Sequence, residues 1–137
     1  MMLHDRQLTR HFRLSEFACK CSACAGVPEH LLASIEGLAA NLETGIRGPL
    51  GMAVSVISGY RCEAHNRAIG GASDSRHIHG DAADIQIDGL DGLWLAGWTE
   101  AQIKAGTMAQ GGVGTYESKP RTLHYDTRGT RARWRTA

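Results

Sequence analysis

Leu31, Leu32, Ile35, Leu38, Ala39, Leu42 and Ile46 recur three and four residues apart, the spacing that gathers apolar side chains into one stripe along a helix. The pattern predicts a helix from Pro28 to about Arg47, with Pro28 in its first turn and with Gly45 and the Gly48-Pro49 pair ending it. Met52 to Ser58 (MAVSVIS) is β-branched and short, which predicts a strand. Asp81 to Asp88 alternates, so a strand there sends Ala83, Ile85 and Ile87 to one face and Asp84 and Gln86 to the other. Two more short strands fit Val113 to Tyr116 and Leu123 to Asp126. A second helix is expected from about Glu100 to Ala109, opened by a Thr99/Gln102 capping box and stopped by Gly111-Gly112. Residues before Val27 follow neither period, and Phe12, Leu14 and Phe17 are expected to anchor that stretch to a core. Glu63 to Gly80, rich in small polar residues, reads as loop.

These elements make one α+β domain over residues 1–137, a small antiparallel sheet with flanking helices, with residues 1–11 and 135–137 at its periphery. A chain of this length supports a single core. At 42% hydrophobic it is too apolar for wholesale disorder. No window reaches the ~18 consecutive apolar residues of a spanning helix, so no transmembrane segment is expected. The opening MMLHDRQLTRHFRLSEF carries no apolar stretch of the secretory kind. Fifteen basic residues against 14 acidic give no global field for nucleic acid. The charge is unevenly placed, however: from Glu117 to Ala137 six basic residues face only Glu117 and Asp126. That edge reads first as a solvated tail, and second as a surface for an anionic partner such as a cell-wall polymer.

Two groups of residues bear on chemistry. Cys19, Cys21 and Cys24 crowd together, and Cys62 stands far along the chain. Four thiolates in this pattern suit a structural zinc ion. Two disulfides, in any of three connectivities, suit it too, as do four thiols serving as small apolar groups. In the second group, His77 enters a strand and Asp84 lies on it, with Gly80, Ala82 and Ala83 leaving room beside both. With His124, on the late strand LHYD, they make a two-histidine, one-carboxylate set for zinc, leaving a position for a water to be activated for hydrolysis. A plain buried His–Asp hydrogen bond competes with that reading.

Ser58-Gly59-Tyr60-Arg61, His65-Asn66, Gly70-Gly71-Ala72 and Ser75-x-His77-x-x-Gly80-x-Ala82-x-Asp84 together resemble the zinc D-Ala-D-Ala carboxypeptidase family of peptidoglycan metallopeptidases. The family's fold is shared with hedgehog-like and lysostaphin-like zinc proteins. Gly111-Gly112-Val113-Gly114-x-Tyr116, His124-x-Asp126-x-Arg128 and Arg133-Trp134 match where its third ligand lies, and Leu14-Ser15-Glu16-Phe17-x-Cys19 resembles the N-terminal segment of its phage and bacterial branch. The resemblance covers roughly residues 12–134.

It implies zinc as cofactor, with His77, Asp84 and His124 as ligands. Arg61 matches the arginine that contacts substrate and holds developing charge, a task suited to a fixed, forked cation. Ser75 matches a serine near the substrate terminus and is equally suited to forming a turn. His65 either binds substrate or pins its loop together with Asn66, and His79 falls at a variable, solvent-facing position. One departure stands out: several relatives carry a carboxylate three residues before the last histidine, where this chain has Arg121. Asp126 is then the general base or, alternatively, a partner orienting a ligand, and Glu117 is the reserve base.

The implied function is a zinc-dependent peptidase, of carboxypeptidase or endopeptidase type, acting on D-amino-acid-containing bonds in peptidoglycan stem peptides or cross-links. The alternative is a non-catalytic zinc module that recognises cell wall or protein. The expected setting is the periplasm or cell wall, with the chain acting as a monomer. The missing export signal then fits a phage-encoded protein or a chain trimmed of its signal.

Overall fold

The computed structural model describes residues 2–21, 24 and 26–137. Pro28 leads a single 3-10 turn at Glu29–Leu31, which runs into α1 (Leu32–Leu42). The predicted stripe is the buried one, since Ile35, Leu38, Ala39, Leu42 and Ile46 are fully enclosed. The helix does not stop at Gly45 or at Gly48-Pro49. It widens into a π turn at Glu43–Arg47 and continues as α2 (Gly48–Leu50), until Gly51 at φ 62° ends it. Pro49 falls directly after the π turn, and the Gly45 carbonyl four residues before it accepts from the Trp98 indole instead of from the N–H that proline lacks. Gly45 is there because Met108 lies where a side chain would be, and its carbonyl accepts a bond from the Trp98 indole at 2.8 Å.

β1 (Ser55–Ser58) takes only the second half of the expected strand. The stretch read as loop holds α3 (Glu63–Ala68), capped by Cys62, and a 3-10 turn at Arg76–His79. β2 (Ala82–Gln86) follows as expected. The next helix, α4 (Gly92–Ala105), begins eight residues earlier than the pattern suggested. Asp91 caps it by accepting from the Trp94 amide at 2.7 Å, and Gly106 at φ 84° ends it. Thr99 is buried within this helix rather than capping it. Gly92 and Gly97 lower helix propensity and break the apolar period, which concealed the true start.

β3 (Gly112–Tyr116), β4 (Leu123–Asp126) and β5 (Ala132–Thr136) complete one sheet in the order β1-β2-β4-β3-β5. All neighbours are antiparallel except β3 and β5, which run parallel. The fold is therefore α+β, with a mostly antiparallel sheet and helices about it. One sheet face supplies Ala83, Ile85, Leu123 and Tyr125 to a core shared with α1 and with Phe12, Leu14 and Phe17 of the irregular N-terminal stretch. Ala83 pairs with Tyr125 and Asp84 with His124, so the polar members of β2 and β4 meet on the opposite face. No helix among the described residues is long and apolar enough to cross a membrane.

The end of the basic C-terminal stretch is strand β5 rather than a solvated tail. Arg133 of β5 ion-pairs with Glu100 of α4 at 2.6 Å, and Arg131 reaches the same carboxylate at 3.7 Å. Arg135 bonds Thr115 at 3.1 Å, and Arg121 pairs with Asp88 at 3.6 Å. Much of the charge asymmetry read from sequence is thus met within the chain.

Candidate metal centre

β2 and β4 place Asp84 and His124 directly opposite each other, and the 3-10 turn before β2 brings His77 over the same spot. Each of the three offers a ligand atom within 4.8 Å of the others. His77 Nε2 lies 3.4 Å from Asp84 Oδ2, and His124 Nδ1 lies 3.2 Å from Asp84 Oδ1. All three side chains are buried.

The partners on the far side of each ring set its tautomer. His77 Nδ1 sits 2.8 Å from the Gly59 carbonyl, which can only accept, so Nδ1 carries the proton and Nε2 presents a lone pair. That Nε2 is buried and has no hydrogen-bond partner among the described residues. His124 Nε2 sits 2.7 Å from Asp126 Oδ2 and Nδ1 sits 3.2 Å from Asp84 Oδ1, so Asp126 fixes a proton on Nε2 and Nδ1 is left to hold a proton or a metal against Asp84. His77 Nε2, His124 Nδ1 and the Asp84 carboxylate converge in one buried space, an arrangement that a cation there, proton or metal, stabilises. The donor set fits zinc: two imidazoles and one carboxylate, with a position left over.

Asp126 is fully buried, and its acceptor positions are taken. Oδ1 accepts from the Gly112 amide at 2.9 Å, the Arg128 amide at 3.1 Å and Arg128 Nε at 2.9 Å, while Oδ2 accepts from His124 and from Arg128 Nη2 at 2.8 Å. Burial disfavours its charge, yet these bonds hold the carboxyl far below the usual carboxylate range. Asp84 behaves alike: burial opposes its charge, and His124 and His77 more than offset that. Burial disfavours the His124 cation as well, but Asp126 and Asp84 together push its pKa up. Gly112 has to be glycine, because a Cβ there would collide with the Asp126 carboxylate.

Arg61 follows β1 and is nearly enclosed. Nη1 donates to Asn66 Oδ1 at 2.8 Å, Nε donates to Ser58 Oγ at 3.3 Å, and Nη2 stands 3.7 Å from Asp84 Oδ2. The guanidinium is thus clamped at the edge of the cluster. Asn66, on α3, is fixed in turn by the Ala72 carbonyl at 2.8 Å. The cluster opens into a cleft of about 780 Å³, within the ~300–1,000 Å³ common for ligand sites. Arg61, Arg76, Lys119 and Arg128 line it together with Asp74 and Asp84, and Arg76 and Arg128 are ion-paired to Asp81 and Asp126 behind the wall.

The predicted site residues fall into two sets. His77, Asp84, His124, Arg61 and Ser75 share the cleft, with Ser75 Oγ also capping the 3-10 turn through the His77 amide at 3.3 Å. His79 is exposed on the cleft's edge. His65 lies on α3 outside the cleft wall; it is Asn66 that reaches Arg61. Glu117 is also off the wall, exposed and facing Arg135 at 3.7 Å. Tyr116, Arg128 and Trp134 were visible in the sequence only as parts of a motif. The Tyr116 hydroxyl donates to Asp84 Oδ1 at 3.1 Å, and burial with the Asp84 charge pushes its pKa well up. Trp134 of β5 packs on the His124 ring with centroids 4.7 Å apart, and Arg128 lies over the indole.

A buried two-histidine, one-carboxylate cluster under a cleft has the make-up of a metallopeptidase centre. A family model described as Peptidase M15 matches residues 10–125, a span that contains all three converging side chains. The chain belongs to the peptidase M15 family, and it is a metallopeptidase by that membership. In a comparison with curated proteins, nothing matches it.

Proposed function

We propose that this single-domain chain is a zinc peptidase that hydrolyses D-amino-acid-containing bonds in peptidoglycan stem peptides or cross-links, acting as a monomer at the cell wall. The observation that carries the reading is His77 Nε2, buried and without a hydrogen-bond partner among the described residues, facing Asp84 beside His124 Nδ1. Zinc held by His77, Asp84 and His124 would polarise a scissile carbonyl and bring a bound water to a pKa of ~7. The Gly59 carbonyl and Asp126 orient the two imidazoles. Arg61, pre-set by Asn66 and Ser58, holds negative charge on the substrate without having to reorganise. Arg61 and Lys119 in the cleft wall are the cations placed to meet a free carboxylate of a wall peptide.

Asp126 is assigned here as a positioning residue, not the general base, because its oxygens are enclosed and already bonded to His124, Gly112 and Arg128. The test is to incubate zinc-loaded protein with purified sacculi and measure newly released amino groups. Release by the parent and none by His77→Ala is the expected result. Binding to sacculi without any release would overturn the hydrolase reading in favour of a recognition module, which Arg121, exposed on Asp88 instead of an acid in the cleft, would then explain.

A further inference from the structure

We propose that Cys19, Cys21, Cys24 and Cys62 form a second metal site, a closed four-thiolate zinc centre that staples the N-terminal stretch to the Arg61 end of the cleft. The four Sγ atoms all lie within 4.8 Å of one another. Cys21 Sγ is 3.5 Å from Cys19 Sγ, 2.9 Å from Cys24 Sγ and 3.7 Å from Cys62 Sγ. A tetrahedron with Zn–S bonds of ~2.3 Å has edges of ~3.8 Å, so the four sulfurs stand close to where such an ion needs them. No disulfide joins them, and a disulfide pairing would draw two sulfurs to ~2.05 Å and break up a four-way convergence.

The four sulfurs border the hydrophobic core, where burial pushes the Cys19 and Cys24 thiols up, so it is a bound cation that would hold them as thiolates. Backbone amides point at sulfur in three places, each at 3.4 Å: Cys24 N to Cys21 Sγ, Cys62 N to Cys19 Sγ and His65 N to Cys62 Sγ. Such donors spread the negative charge that four thiolates carry around one divalent ion. On binding, each S–H bond gives its proton to solvent and the sulfur electron pair forms the bond to zinc. All four positions of the ion are then filled by protein, which leaves none for water and makes the role structural.

Position gives the site its consequence. Cys62 follows Arg61 and caps α3, the helix that carries Asn66 to the guanidinium. The N-terminal stretch already touches this junction, where the Phe17 carbonyl accepts from the Tyr60 amide at 2.8 Å. A zinc ion tying Cys19, Cys21 and Cys24 to Cys62 fixes the base of Arg61 and of α3 together.

The inference stands apart from the proposed peptidase activity, and its test separates the two. Full-length protein prepared under reducing conditions is expected to hold about two zinc ions per chain, and His77→Ala combined with His124→Ala about one. In that double variant, cobalt in place of zinc should give a strong thiolate-to-cobalt charge-transfer absorption, which Cys24→Ser removes. Because cysteine variants can fail to fold, the parent's thiols are also titrated: zinc should shield all four, and chelation should release them. One zinc in the parent with none in the histidine variant, thiols equally reactive with and without zinc, or thiols lost to disulfides in the native protein would each overturn the site.

Discussion

A carboxylate two residues beyond a histidine ligand can take a proton from water or hold the ligand in place, and the two roles need different surroundings. A base needs an oxygen open to the cleft; Asp126 has none to spare, with His124, Arg128 and Gly112 on its two oxygens. Asp126→Asn is therefore expected to weaken zinc affinity by ~10–100-fold, with turnover recovering as zinc is raised. Activity across a zinc titration checks this, and a rate lost at every zinc level would return Asp126 to the role of base. Arg61 makes a complementary case. Its guanidinium is clamped by two partners at once, a geometry an ammonium cannot copy. Arg61→Lys should stay folded by circular dichroism and lose ~10²-fold in kcat, the usual cost of one well-placed charge donor. A rate within twofold of the parent would place the residue outside the chemistry.

At the scale of elements, the π turn after α1 matters because it carries Glu43 to the N-terminal stretch. Glu43 accepts from Thr9 Oγ1, the His11 amide and His11 Nδ1, each at 2.8 Å. Partial burial opposes its charge, but His11 and Thr9 leave the carboxyl below its ordinary value. A carboxyl depressed in the folded state stabilises the fold above its unfolded pKa of ~4.3, and that contribution is lost as pH falls through the folded value. Glu43→Gln should thus cost about 1 kcal/mol near neutral pH. The gap between variant and parent should close below pH ~4, as read by urea unfolding at several pH values. A gap that persists in acid would mean the side chain acts by shape, not charge.

For the whole molecule, metal and stability are linked. Any ion that binds only the folded chain adds to its stability, by ~2.7 kcal/mol at a free concentration 100 times the Kd. Excess chelator should accordingly lower the thermal midpoint of the parent, and the fall should be smaller in His77→Ala, which has already lost one ligand. A midpoint indifferent to chelation would mean that neither cluster binds metal in the folded protein.

The sequence alone carried whatever depends on neighbours along the chain. The α1 stripe, the alternation that sends Asp84 away from Ala83 and Ile85, and the strands bearing Tyr116 and His124 were all legible there, because period and residue type act locally. The same logic failed where glycine was chosen for distant contacts. Gly45 makes room for Met108 and looked like a helix stop, while Gly92, set against the Thr122 carbonyl, hid the start of α4. β5 was illegible because a strand of alternating arginines looks like a charged tail until Glu100 and β3 supply its partners. Only tertiary structure could put His124 beside Asp84, 40 residues apart, enclose Asp126, bring Asn66 rather than His65 to Arg61, and gather Cys62 to the other three thiols. Sheet register and burial settle these matters, and neither is a property of any short stretch of chain.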